Sequence, residues 1–380
     1  MSVKSLVFIF SIGLLGFWLS SCQKPRIPIA DDSGQVGVIT GGLNFERNHL
    51  LPKDILLPQK IEKQYSINGQ TTWTMGLHQN HLILTTRNGF LSTHSLSNLG
   101  KKRRTRLSKG ITAEPTLYKN NLYVAMEVGK FGLRVFDFDK GNVLWQLPGF
   151  HSKSSPVVTD DLVFHTSKDG NILCLDAKRG IKIWEARIND LILTSLAYSP
   201  GNLIAVSQNG TVRNYEPSSG LVLWDESVKE SVYAQPLLVN QAVYIVSFAG
   251  NLYRLSLNSG LVYHADSFGV NVYLPPSSDG ALLFIPLSDG KLVAFDLNAG
   301  HTLWTTPLEG PASIPVLVSN RHVVVGTSKQ FLYFLNKESG EIEQTIKLKG
   351  RPSSLPVIHE QKLILGVGYD QLTMLIPESG

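Results

Sequence analysis

Asp176-Ala177-Lys178-Arg179-Gly180-Ile181-Lys182-Ile183-Trp184 is one copy of a unit that recurs along the chain. The same grammar ends at Trp145 (Phe138-Asp139-Lys140-Gly141-Asn142-Val143-Leu144-Trp145), at Trp224 (Glu216-Pro217-Ser218-Ser219-Gly220-Leu221-Val222-Leu223-Trp224) and at Trp304 (Asp296-Leu297-Asn298-Ala299-Gly300-His301-Thr302-Leu303-Trp304). Gly260 and Gly340 continue the series with His264 and Gln344 in the tryptophan place, Gly100 precedes it and Gly380 ends it. The eight glycines stand 39 to 41 residues apart. A fixed period of this length marks a repeat architecture.

Each repeat has the same interior. In residues 156–188, Pro156-Val157-Val158 opens a short strand, Asp161–Thr166 forms a second, and Lys168-Asp169-Gly170 makes a tight turn. Asn171–Asp176 is a third strand and Ile181–Ala186 a fourth. The tight-turn glycine returns as Gly210, Gly250 and Gly290, and the opening proline as Pro115, Pro236, Pro276, Pro315 and Pro356. Middle strands such as Leu282-Leu283-Phe284-Ile285 are continuously apolar, so both of their faces must be covered. Four-stranded antiparallel sheets that are buried on both faces pack by stacking around an axis, which predicts an all-β, eight-bladed β-propeller. The last repeat stops where its fourth strand should begin, and the unmatched segment Lys60–Ile67 precedes the first. An N-terminal strand that fills the vacant place would close the ring and leave no unpaired edge at the seam.

The tryptophans have a structural explanation. A ring on each outer strand would reach the neighbouring blade near its glycine turn, burying roughly 150–250 Å² and placing its N–H near a carbonyl. The acid four residues before the glycine (Asp137, Asp176, Glu216, Asp296) would accept from backbone N–H groups of the turn. A single active site would not need four copies of such a unit.

The N-terminus is read separately. A short start with Lys4 leads into the apolar run 6–19 and then Leu19-Ser20-Ser21-Cys22, which has the proportions of a secretory signal. That tetrapeptide resembles the bacterial lipobox, so residues 1–21 are expected to be a signal peptide and Cys22 the acylated new N-terminus. The alternatives are an ordinary signal peptide with an incidental cysteine, or a stop-transfer anchor. Gln23 follows the cysteine, where lipoproteins kept on the inner membrane often carry Asp, so the resemblance favours the outer membrane. Residues 22–57 show no periodicity and read as a flexible tether, although Leu50, Leu51, Ile55 and Leu56 leave room for a segment that folds against a partner. Residues 58–380 form the propeller.

Composition fits this division. The 380 residues are 43% hydrophobic and 17% charged, with 33 Gly and 19 Pro, which excludes disorder and collagen. Length alone suggests two or three domains, and the repeat replaces that with one. Two cysteines cannot staple a fold, and Cys174, inside an apolar strand, reads as a core residue. A net charge of +5 does not by itself indicate nucleic acid.

Asp-x-x-x-Gly-x-x-x-Trp at this spacing resembles the tryptophan-docking motif of the pyrroloquinoline-quinone-type propellers, over about residues 58–380. Within that superfamily, a lipoprotein with one eight-bladed ring is similar to the BamB family, scaffold subunits of the outer-membrane β-barrel assembly machinery. The resemblance implies a non-catalytic, lipid-anchored and periplasm-facing scaffold. Its implied partners are a barrel-assembly core protein or barrel substrates, with no cofactor, metal or nucleic acid, and one propeller per complex. The rival branch is the quinone-dependent dehydrogenases, whose methanol-type members carry a vicinal cysteine pair that is absent here. A ligand-binding or adhesion propeller is the third reading. The BamB family also tends to carry Asp-x-Asp before a strand-opening proline, whereas Ser231-Val232-Tyr233 stands before Pro236.

Other chemistry is sparse. The ten His form no His-x-x-x-His pair, His151 and His165 read as a loop and a strand residue, and Ser195 and Ser207 lack a nucleophile elbow. The densest charge is Lys101-Lys102-Arg103-Arg104-Thr105-Arg106, in place of an apolar outer strand after Gly100. It is either a solvated edge that discourages pairing or a contact for anionic headgroups or an acidic partner.

Overall fold

The computed structural model describes residues 43–51, 54–58, 60–78, 81–96, 99 and 102–377, without the Lys102 side chain. The signal peptide, Cys22, Lys101 and the first part of the expected tether lie outside these residues.

Among the described residues every regular element is a strand, and the 32 strands form eight four-stranded antiparallel sheets. Blades 1 to 7 span 76–106, 116–148, 157–187, 197–227, 237–267, 277–307 and 317–347. Blade 8 combines Val357–His359, Lys362–Val367 and Gln371–Ile376 with Lys60–Ser66, which pairs antiparallel along Gln371–Ile376 as the outermost strand. The first strands of neighbouring blades approach one another and surround the axis, and the fourth strands form the outer wall.

The core is divided by the same symmetry. Eight apolar clusters each lie between two adjacent blades, and one of them joins Leu82 and Leu84 of blade 1 to Ile364 and Leu372 of blade 8. That is why the middle strands are apolar on both faces. Hydroxyls reach from one blade to the next near the axis: Thr116 donates to Pro156 O (3.0 Å), Ser154 to Thr194 O (2.7 Å) and Ser277 to Val316 O (2.6 Å). Thr71 and Ser353 share a hydrogen bond of 2.9 Å across the seam.

Residues 43–51 and 54–58 correct the expectation of a free tether for this part of the chain. The segment crosses the ends of four inner strands: Phe45 O, Glu46 O, Asn48 O and His49 O accept from the N–H groups of Tyr198, Leu238, Ser278 and Val318, at 2.8 to 3.1 Å. Leu51 N–H donates back to Val318 O at 2.8 Å, and Ile55 is buried in the cluster between blades 7 and 8. Its apolar residues and unpaired backbone find partners on the ring itself, so this part of the chain straps one end of the channel before it enters blade 8.

Candidate functional site

The tryptophans dock as a repeated structural unit. The indole N–H groups of Trp145, Trp184, Trp224 and Trp304 donate to Ala177 O, Pro217 O, Leu257 O and Lys337 O of the following blade, at 2.8 to 3.1 Å. Each ring covers the next turn glycine so closely that a Cβ on Gly180, Gly220, Gly260 or Gly340 would lie 2.5 to 2.8 Å from it. Gly141 and Gly300 take the same left-handed conformation (φ +67° and +71°). Gly300 has nothing within 4 Å, because His264 holds the tryptophan place in blade 5 and packs edge-on against its own Tyr253. Gln344 substitutes for the ring in blade 7 by donating to Pro58 O (2.5 Å).

The turn acids are engaged locally. Asp137, Asp176 and Asp296 each accept from backbone N–H groups inside their own turn. Glu216 accepts from the hydroxyls and N–H groups of Ser218 and Ser219, which hold its carboxyl down at about 2. Cys174 is fully buried, and burial pushes its thiol up to about 12, which makes it a poor nucleophile. His165 hydrogen-bonds Phe150 O (2.7 Å) from its strand, burial lowering it to about 4, and His151 meets Gly129 O (2.6 Å) from a loop. Ser195 Oγ accepts from Ser155 N–H and Ser207 Oγ donates to Asn209, so neither faces a base.

Two surfaces remain. The face opposite the strap is built from inter-blade loops and tight turns tied together by backbone bonds, such as Gln208 N–H to Leu191 O (2.9 Å), Val232 N–H to Gln208 O (2.9 Å) and Val272 N–H to Phe248 O (3.0 Å). On this firm base lies an aromatic row. Tyr233, Phe248 and Tyr273 meet edge to face at centroid distances of 5.4 and 5.2 Å, with Tyr233 41% and Tyr273 55% exposed. The row was legible in outline: positions 193, 233, 273 and 313 carry Leu, Tyr, Tyr and Ser, and 208, 248 and 288 carry Gln, Phe and Ser, so the aromatics break the repeat.

Inside the same mouth lies a cavity of ≈ 260 Å³ bordered by Trp73, Arg87, Glu114, Lys153, Ser195 and Gln235. The strap lies beneath it. Arg47 is fully buried and donates to Leu196 O (2.8 Å) and Ser155 O (3.3 Å). Burial lowers this guanidinium to about 10, against the opposing effect of Glu114, and lowers His49 to about 3, so Arg47 is charged and His49 neutral at pH 7. Glu114 is the one carboxylate on the cavity wall and already accepts from Ser155 Oγ (2.6 Å). No three His, Cys, Asp or Glu among the described residues converge on a metal position. This donor set does not fit a metal-supported quinone.

Known proteins bear on the family and on the fold. The family model described as outer membrane protein assembly factor BamB matches residues 168–269 and 264–380. A protein of Shewanella oneidensis with that same description is 30% identical over 120 residues, which is 30% of this chain. The matched stretch spans 29% of that relative's length. The solved BamB of Moraxella catarrhalis superposes with a TM-score of 0.64 at 16% identity, covering 84% of this chain and 99% of that one. The quinohemoprotein alcohol dehydrogenase of Comamonas testosteroni reaches a TM-score of 0.73 at 11% identity, covering 90% and 82%. At these identities both structures speak to the fold alone.

Proposed function

The chain belongs to the family of the outer membrane protein assembly factor BamB, and from that premise we propose that it is a non-catalytic scaffold for outer-membrane protein assembly. In this reading Cys22 carries the lipid anchor, residues 22–42 link it to the strap, and the single propeller of 58–380 faces the periplasm. The loop face meets a barrel-assembly core protein or its substrates. The observation that carries the reading is the exposed row Tyr233, Phe248 and Tyr273 on loops held by backbone hydrogen bonds. Rigid tyrosines present large contact area with little conformational freedom to lose, which is why such residues anchor protein interfaces.

The test is site-specific photocrosslinking in intact cells from position 273, with position 263 on the outer wall as the comparison. An adduct with the barrel-assembly core protein from 273 and none from 263 is expected. Equal labelling from both positions, or no adduct from 273 at native abundance, removes the loop-face scaffold. The anchor is tested apart from it: Cys22→Ser should leave the membrane fraction at high salt.

A further inference from the structure

The outer strand of blade 1, Lys102–Arg106, differs from every other outer strand. Those of blades 3, 4, 5 and 7 and the Lys60–Ser66 strand each carry at least one carboxylate, and those of blades 2 and 6 carry no Arg or Lys. Blade 1 alone presents three arginines and no acid on this strand.

The neighbours extend the charge. Arg104 and Arg106 stand on one side of the strand with their guanidinium carbons 5.4 and 5.6 Å from the Phe90 ring centroid. Arg134 of blade 2 lies 4.7 Å over Phe131, beside Lys130 at 5.4 Å, and its Nη1 donates to Leu107 O directly after the arginine strand (3.3 Å). Arg103, Arg104, Arg106, Lys109 and Lys130 are all exposed. Among the described residues Arg104, Arg106, Arg134 and Lys130 have no carboxylate within ion-pair distance. The result is one cationic surface that runs from the outer strand of blade 1 onto the adjoining loop and the tight turn and third strand of blade 2, resting on two phenyl rings.

We infer that this face binds an anionic lipid surface. Its exposed side chains are mostly cations, with Val128 as the exposed apolar residue beside them, whereas a specific protein interface is built around an apolar centre. Cations along an outer wall, backed by aromatic rings, match headgroup phosphates under which the rings can sit at the interface. The row at Tyr233, Phe248 and Tyr273 lies on blade 5 and the loops that flank it, several blades around the ring from blades 1 and 2, so one surface can engage lipid while the other engages protein. The inference rests on the charge distribution and not on the scaffold reading.

The experiment uses the mature chain from residue 22 with Cys22→Ser, so that neither the apolar run 6–19 nor acylation masks the effect, and measures sedimentation with vesicles of phosphatidylcholine alone or with about a third phosphatidylglycerol. Binding to the anionic vesicles only, abolished by about 0.5 M NaCl, is expected. Arg104→Gln with Arg106→Gln should weaken it by roughly 25-fold, since each cation near such a surface contributes about fivefold. Arg104→Lys with Arg106→Lys should retain it, because the attraction is to charge rather than to a bidentate acceptor. Arg254→Gln, an exposed arginine over Tyr263 in blade 5, should change nothing. Equal partition on both vesicles, indifference to the double glutamine variant, or capture by immobilised polyglutamate without vesicle binding would each overturn the inference, the last assigning the face to an acidic protein.

Discussion

Blades 1 and 4 are built on the same four-stranded plan and use one register position in opposite ways. In blade 4, Trp224 pairs with Asn214, the ladder shifts by one residue, and pairing resumes at Val222. The extra residue turns the indole onto Gly260 and the Leu257 carbonyl of blade 5. In blade 1, Arg103 pairs with Thr93 and pairing runs on without a shift to Lys102. Counting four residues from Gly100 points to Arg104, but the ladder places Arg103 in the tryptophan register. The shift is not tied to the ring, since the outer strands of blades 5 and 7 carry it with His264 and Gln344 in the tryptophan place, and the outer strand of blade 1 stands apart in pairing without one.

The largest effect should separate these two positions. Trp224 is only 8% exposed, so Trp224→Ala should lower the free energy of unfolding by about 3–5 kcal/mol, while Arg103→Ala should change it by less than about 1 kcal/mol. Denaturant titration of both variants measures this, and similar losses would mean that the ring does not lock the seam. Glycine substitutions sharpen the point. Gly220→Ala combines a left-handed φ of +73° with a Cβ 2.7 Å from Trp184 and should cost about 2–4 kcal/mol. Gly300→Ala shares the φ but meets no ring, and should cost about 1–2 kcal/mol. If the two glycines behave alike in thermal unfolding, ring contact adds nothing to backbone strain.

The smallest effect concerns the turn acid, which blade 4 has as Glu216 and blade 1 lacks, Leu96 standing in that place. The folded carboxyl of Glu216 is depressed to about 2, so its stabilisation is present above the ordinary glutamate value and is lost as pH falls through about 2. Glu216→Gln should flatten the fall in stability between about pH 5 and about pH 2 by less than about 1 kcal/mol, because the group is largely solvated. Melting curves across that range read it, and an unchanged slope would show that the serine hydroxyls contribute nothing.

Much of the fold was legible because each blade repeats its own local instructions. Glycine at a left-handed turn, proline before an inner strand and apolar runs between them act over a few residues, and their spacing counts the blades. The strap was not legible. Phe45, Glu46, Asn48 and His49 use main-chain carbonyls, which carry no side-chain signature, and their partners lie roughly 150 to 270 residues away. Arg47 reads in the sequence as one more cation in a polar tract, and only the folded ring supplies the carbonyls of Leu196 and Ser155 that allow it to be buried.

The sequence by itself determined the number of blades, the strand plan of each and the spacing of the turn glycines and tryptophans, because periodic short-range patterns survive without knowledge of what they contact. Only the tertiary structure decided which end of the channel is strapped, that Arg103 rather than Arg104 takes the ring's register, and that Tyr233, Phe248 and Tyr273 form one surface. Those features depend on contacts between distant segments, and on a single-residue shift in pairing that reverses which way a side chain faces.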